Sequence, residues 1–124
     1  MTDGTPGPDA EEMAFLEQMK ALRTAYAVLL PEKIEALSQA ALAGRPGGGA
    51  GIADALRLAH RLAGSAGSYG FTSLGLTARR IEHALEGLEV AFDRSTIWAG
   101  IDADLEIARA EARAACESVR SAGP

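Results

Sequence analysis

The sequence is poor in the residue types on which several common chemistries depend. Its single cysteine, Cys116, excludes an internal disulfide and falls among the apolar positions of the last helical segment, the place of a core thiol. Only two histidines occur, His60 and His83, and with one distant cysteine they do not make a zinc site. The paired Glu-x-x-His motifs of a carboxylate-bridged di-iron bundle are missing, so the composition calls for no metal. The glycine-rich stretch GRPGGGAG, residues 44 to 51, leads into no Lys-Ser or Lys-Thr pair, and nothing else resembles a phosphate loop for ATP. Positive charge is in deficit, with 12 basic against 17 acidic residues and a net charge of -5, the wrong balance for neutralising nucleic-acid phosphates. No segment reaches about 18 consecutive apolar residues, and the start MTDGTPGPDAEE has neither the basic nor the apolar region of an export signal. A cytoplasmic protein that does not insert into membranes is the expectation.

What is present is alanine-rich and periodic. The 124 residues, 48% of them apolar but only 5% aromatic, favour one all-α domain of closely packed helices. Residues 1 to 8 read as a disordered leader and residues 9 to 121 as the domain. Asp9 and Glu12 have the spacing of a capping box, which predicts a first helix over about residues 10 to 29. Pro31 predicts a break or kink before a second helix that stops near Gly44. The glycines of residues 44 to 51 read as a flexible linker without regular structure.

Beyond the linker, Ile52, Ala55, Leu56, Ala59, Leu62, Ala63 and Ala66 mark the inward face of a third helix that ends near Ser68, with Gly70 as terminator. Leu74, Ala78, Ile81, Leu85 and Leu88 mark a fourth helix. Ile97, Ile101, Leu105, Ala108, Ala112, Ala115 and Val119 mark a fifth, with Ser95 or Thr96 as candidate caps. The expected fold is all-α, an antiparallel four-helix bundle with an additional N-terminal helix across one end.

At about 100° per residue, His60 lies on the flank of the third helix, roughly 100° from its apolar stripe. Arg57, Gly64 and Gly67 lie along the same flank. A helical histidine outside the core is ordinarily a surface residue, but two glycines inside a helix each cost about 1 kcal/mol relative to alanine. They leave bare backbone beside the imidazole, where another protein can approach closely. His83, about 160° from the stripe of its own helix and without such a clearing, reads as surface.

The stretch HRLAGSAGSYGFTSL, residues 60 to 74, resembles the signature of histidine phosphotransfer domains, in which glycine follows the phosphorylated histidine by four residues. Through AGSYGFT it is especially similar to the N-terminal phosphotransfer domain of chemotaxis histidine kinases. The resemblance implies that His60 carries the phosphoryl group and that Glu82, matched by position, accepts a hydrogen bond from it. Geometry agrees on level, since helices reversing near residue 70 bring positions 60 and 80 to 82 side by side. Glu82 also flanks its own stripe by about 70° in the same rotational sense as His60. Antiparallel neighbours with same-sense flanks either face each other or both face away, according to the hand of the bundle. The sequence departs from the family at Ala63, where lysine is common three residues after the histidine. Arg57, Arg61 and Arg79 are the candidates for the missing charge and for partner binding, together with Gly64 and Gly67.

The resemblance implies a phosphoryl carrier rather than an enzyme, in which Nε2 of His60 attacks an aspartyl phosphate while Glu82 holds the proton on the other nitrogen. It implies no cofactor of the domain's own, because the family leaves Mg²⁺ and the acidic pocket to the response-regulator partner. The expected partners are response-regulator receiver domains and a hybrid histidine kinase, and a monomer is expected. Two alternatives stand beside this one: an excised N-terminal domain of a chemotaxis-type kinase, and a helical adaptor that is never phosphorylated.

Overall fold

A computed structural model describes residues 9 to 46 and 49 to 121; the leader expected at residues 1 to 8 lies outside the described residues. The described chain forms four helices: α1 (Ala10–Gly44), α2 (Gly49–Ser68), α3 (Thr72–Gly87) and α4 (Arg94–Ser121). Each packs against two neighbours in the cyclic order α1, α2, α3, α4, so the all-α bundle expected from the periodicity is the fold. The inward residues are those of the apolar stripes: Leu30, Ile34 and Leu37 from α1, Ala55, Ala59, Leu62 and Ala66 from α2, Leu74, Ile81 and Leu85 from α3, and Ile101, Leu105 and Ala112 from α4.

The predicted break at Pro31 does not occur. Residues expected to form a separate helix across the end of the bundle are instead the N-terminal half of one 35-residue helix. Pro31 deprives the carbonyl one turn earlier of its donor, at a cost of about 3 kcal/mol in an isolated helix. Here Ala27, Leu30 and Ile34, on both sides of the proline, are wholly buried, and tertiary packing overrides the local preference. Asp9 caps the helix as expected, its carboxylate accepting from the Glu12 amide at 2.7 Å.

The linker reading is also corrected. Gly49 and Gly51 are in the first turn of α2, residues 47 and 48 lie outside the described residues, and close packing requires glycine at position 51. A Cβ on Gly51 would lie 2.6 Å from the Gly44 nitrogen and 2.8 Å from the Ala43 carbonyl carbon, backbone atoms that cannot turn aside. Thus Gly44 and Gly51 let the end of α1 and the start of α2 meet backbone to backbone.

The turn after α2 ends the helix as expected. Gly70 has φ 85°, the Phe71 amide donates to the Ala66 carbonyl at 2.8 Å, and the Gly70 amide donates to the Gly67 carbonyl at 3.0 Å. This pair of bonds is the Schellman arrangement, which glycine accepts at positive φ without strain. Phe71 then stacks on Tyr26 of α1, which also stacks on Tyr69 at 4.5 Å between ring centroids. At the start of α4 the cap is Asp93 rather than Ser95 or Thr96. Its carboxylate accepts from the Ser95 amide at 3.0 Å and hydroxyl at 2.7 Å, and those bonds lower its pKa.

Candidate functional site

The α2–α3 seam is unusually close at its upper end. A Cβ on Gly75 would meet the Ala63 carbonyl oxygen at 3.2 Å and the Gly67 nitrogen at 3.3 Å, so the two backbones nearly touch. The reversal at Gly70 together with this contact fixes the register of the two helices, and His60 and Glu82 arrive at one level. They face each other: His60 Nδ1 lies 2.7 Å from Glu82 Oε2.

The two partners of this pair differ in exposure. The Glu82 side chain is 16% exposed and that of His60 77%, so the carboxylate is held in the seam while the imidazole stands out from it. A carboxylate is an acceptor only, so Nδ1–H donates to it, and the ring in its neutral form keeps its lone pair on Nε2. The site therefore presents an exposed nucleophilic nitrogen whose ring and tautomer are fixed from behind.

Around the imidazole the surface is bare. A Cβ added at Gly64 or Gly67 would meet nothing within 4 Å, so neither glycine is demanded by its own side-chain space. The Ser68 hydroxyl donates to the Gly64 carbonyl at 3.0 Å. Gly67 has a second role that the sequence reading did not assign, since its backbone is the surface against which Gly75 packs. Gly75 itself was passed over. Its signal was a glycine between the core positions Leu74 and Ala78, where a helix ordinarily prefers alanine.

The three arginines are not equivalent. Arg57 is paired with Asp54 at 3.3 Å, both exposed. Arg61 lines a shallow groove of about 150 Å³ between α1 and α2 with Lys33, Leu58 and Ser65, on the side of α2 away from Glu82. Arg79 is exposed on α3 one turn before Glu82, and makes no ion pair among the described residues. Ala63, which stands where the family carries lysine, is buried at 6% exposure beneath this surface. His83 is exposed, as expected. Among the described residues no group of three or more His, Cys, Asp or Glu side chains is arranged to hold a metal ion, and no helix is long and apolar enough to cross a membrane.

Comparison with protein families gives a match to the model described as "Hpt domain" over residues 15–121 of the 124. The chain belongs to the Hpt domain family. Hpt domains are helical phosphoryl-carrier modules of two-component signalling that work with kinases and response-regulator receivers, and this places the chain in phosphotransfer signalling. A search of curated proteins and a search of solved structures each find no match.

Proposed function

We propose that this Hpt domain carries a phosphoryl group on Nε2 of His60 and exchanges it with an aspartate of response-regulator receiver domains. The observation that carries the reading is the His60–Glu82 pair: a 2.7 Å hydrogen bond on Nδ1 and an imidazole that is otherwise exposed. In the forward step the Nε2 lone pair forms a bond to phosphorus as the bond from phosphorus to the aspartyl oxygen breaks, and the carboxylate leaves. The ring becomes cationic, and Glu82 stabilises that charge through the Nδ1 proton. Return to an aspartate reverses each change. Such a transfer depends on alignment and charge neutralisation, with little further covalent chemistry for the protein to perform.

Gly64 and Gly67 form the approach surface, with room above their backbones for a receiver to come close to the histidine. Arg79 supplies positive charge beside the transferred group, in the role the family's lysine fills elsewhere, while Arg57 and Arg61 serve the rim of the contact. The domain acts as a carrier and needs no cofactor of its own.

The test is incubation of the domain with a panel of phosphorylated receiver domains. The expected product is an acid-labile, base-stable label on the wild type, absent from His60→Gln and retained in His83→Gln. Label persisting in His60→Gln overturns the assignment, and no uptake from any receiver or kinase would favour the unphosphorylated adaptor.

A further inference from the structure

The N-terminal third of α1 runs past the end of the bundle with no other helix of the described residues beside it. Residues 10 to 22 are all exposed, and the first buried residue of the helix is Tyr26. This stretch is nevertheless apolar: Phe15 is 60% exposed, Leu16 57%, Met19 41% and Leu22 45%. At about 100° per residue, Phe15, Leu16 and Met19 fall on the same side of α1 as Leu30, Ile34 and Leu37. The core-facing stripe of the helix therefore continues into solvent for about three turns. Contiguous apolar surface of this kind marks an interaction site.

Two further observations say what covers it. Charge along the projecting segment is segregated: Asp9, Glu11, Glu12 and Glu17 come first, and Lys20 and Arg23 follow. At the foot of the stripe lies a hollow of about 400 Å³ at the end of the bundle, lined by Arg23 with Phe71, Leu74, Ala115 and Ser118, and by Glu111, whose carboxylate already accepts from Thr77. A second copy of the segment laid antiparallel sets each acidic tip beside the other copy's Lys20 and Arg23, and delivers that tip to the hollow. A parallel pairing would stack acid on acid.

We infer that the projecting end of α1 is a self-association helix, and that two copies of this chain pair antiparallel through Phe15, Leu16, Met19 and Leu22. The contact is isologous, so it closes as a two-fold dimer and does not propagate. It leaves the His60 face of both copies open, and it is independent of the phosphotransfer reading. A dimer of this kind departs from the monomer expected from the sequence.

The test is sedimentation equilibrium of the full chain over the micromolar range. A reversible dimer is expected for the wild type, and Leu16→Glu with Met19→Glu should raise its dissociation constant by about tenfold or more, with helicity by circular dichroism unchanged. Glu11→Lys with Glu12→Lys should weaken pairing, as should Lys20→Glu, while a mixture of those two variants should regain it as a heterodimer. A strictly monomeric wild type, a dimer indifferent to Leu16→Glu with Met19→Glu, or a dimer strengthened by Glu11→Lys with Glu12→Lys would overturn the inference. So would a monomeric wild type whose uptake from a receiver falls in the Leu16→Glu, Met19→Glu variant, which would assign the stripe to the receiver instead.

Discussion

Across the α2–α3 seam the closest approach is between backbones, with Gly75 set against Ala63 and Gly67, and the His60–Glu82 pair lies at its outer edge. The seams that α4 makes with α3 and α1 are tied by side chains. The Thr77 hydroxyl donates to Glu111 at 2.6 Å and accepts from Arg80 at 3.2 Å, Arg80 reaches Asp104 at 3.4 Å, and Arg109 joins Glu35 at 2.9 Å and Ser38 at 2.7 Å. The difference separates two tasks. Small residues bring α2 and α3 together without covering the surface above them, so an imidazole can stand exposed on a fixed base. Long paired side chains hold α4 in place and cover the surface that they hold.

This contrast can be broken most strongly at its own edge. Glu82→Ala removes the hydrogen bond that orients the ring, and transfer from a phosphorylated receiver should slow toward about 10²-fold or somewhat less. Glu82→Gln keeps an acceptor but loses the charge, so rapid-quench rates should fall in the order wild type, Gln, Ala, with receiver affinity nearly constant. Equal rates in all three would make Glu82 a bystander.

A smaller effect is expected from filling the bare surface. Gly64→Glu should slow transfer by about tenfold, since a receiver meets a side chain and a like charge where it met backbone. Thermal unfolding should hardly change, because nothing lies within 4 Å of that Cβ. Unaltered kinetics would place the docking surface elsewhere.

On the opposite seams the effects should be on stability alone. Thr77→Val leaves Glu111 and Arg80 without the hydroxyl they share, a loss of about 1–2 kcal/mol by chemical denaturation. Arg109→Ala, at a partly exposed network, should cost about 1 kcal/mol or less and less still in high salt. Neither substitution should alter transfer rates. A variant of the α4 seams that slowed transfer while folding normally would erase the division between the two regions.

Much of this was legible from the sequence because the governing signal was periodicity. Every residue assigned to the inward face of α3, from Leu74 to Leu88, is buried, and on α4 only Ile97 of the assigned stripe is partly exposed. The flank positions of His60 and Glu82 could likewise be counted from the chain, but whether those flanks met depended on the hand of the bundle, a property of packing. The errors fall where local preference competes with tertiary contact. Pro31 and the glycines at 49 and 51 oppose helix when taken alone, yet buried neighbours hold a helix through the proline and a backbone crossing demands the glycine at 51. The free end of α1 was hidden for the complementary reason: an amphipathic pattern reports that a face is apolar and leaves unstated what lies against it.

In the proposed function Glu82 fixes Nδ1 of His60 and leaves Nε2 to take the phosphoryl group. Long-range proton–nitrogen NMR on the ¹⁵N-labelled domain, recorded before and after phosphorylation by a receiver, reads both halves at once. A ring that carries its proton on Nδ1 is expected in the free domain, with a phosphorus–nitrogen coupling at Nε2 of residue 60 in the product. A phosphoryl group on Nδ1, or on any residue other than His60, would contradict it.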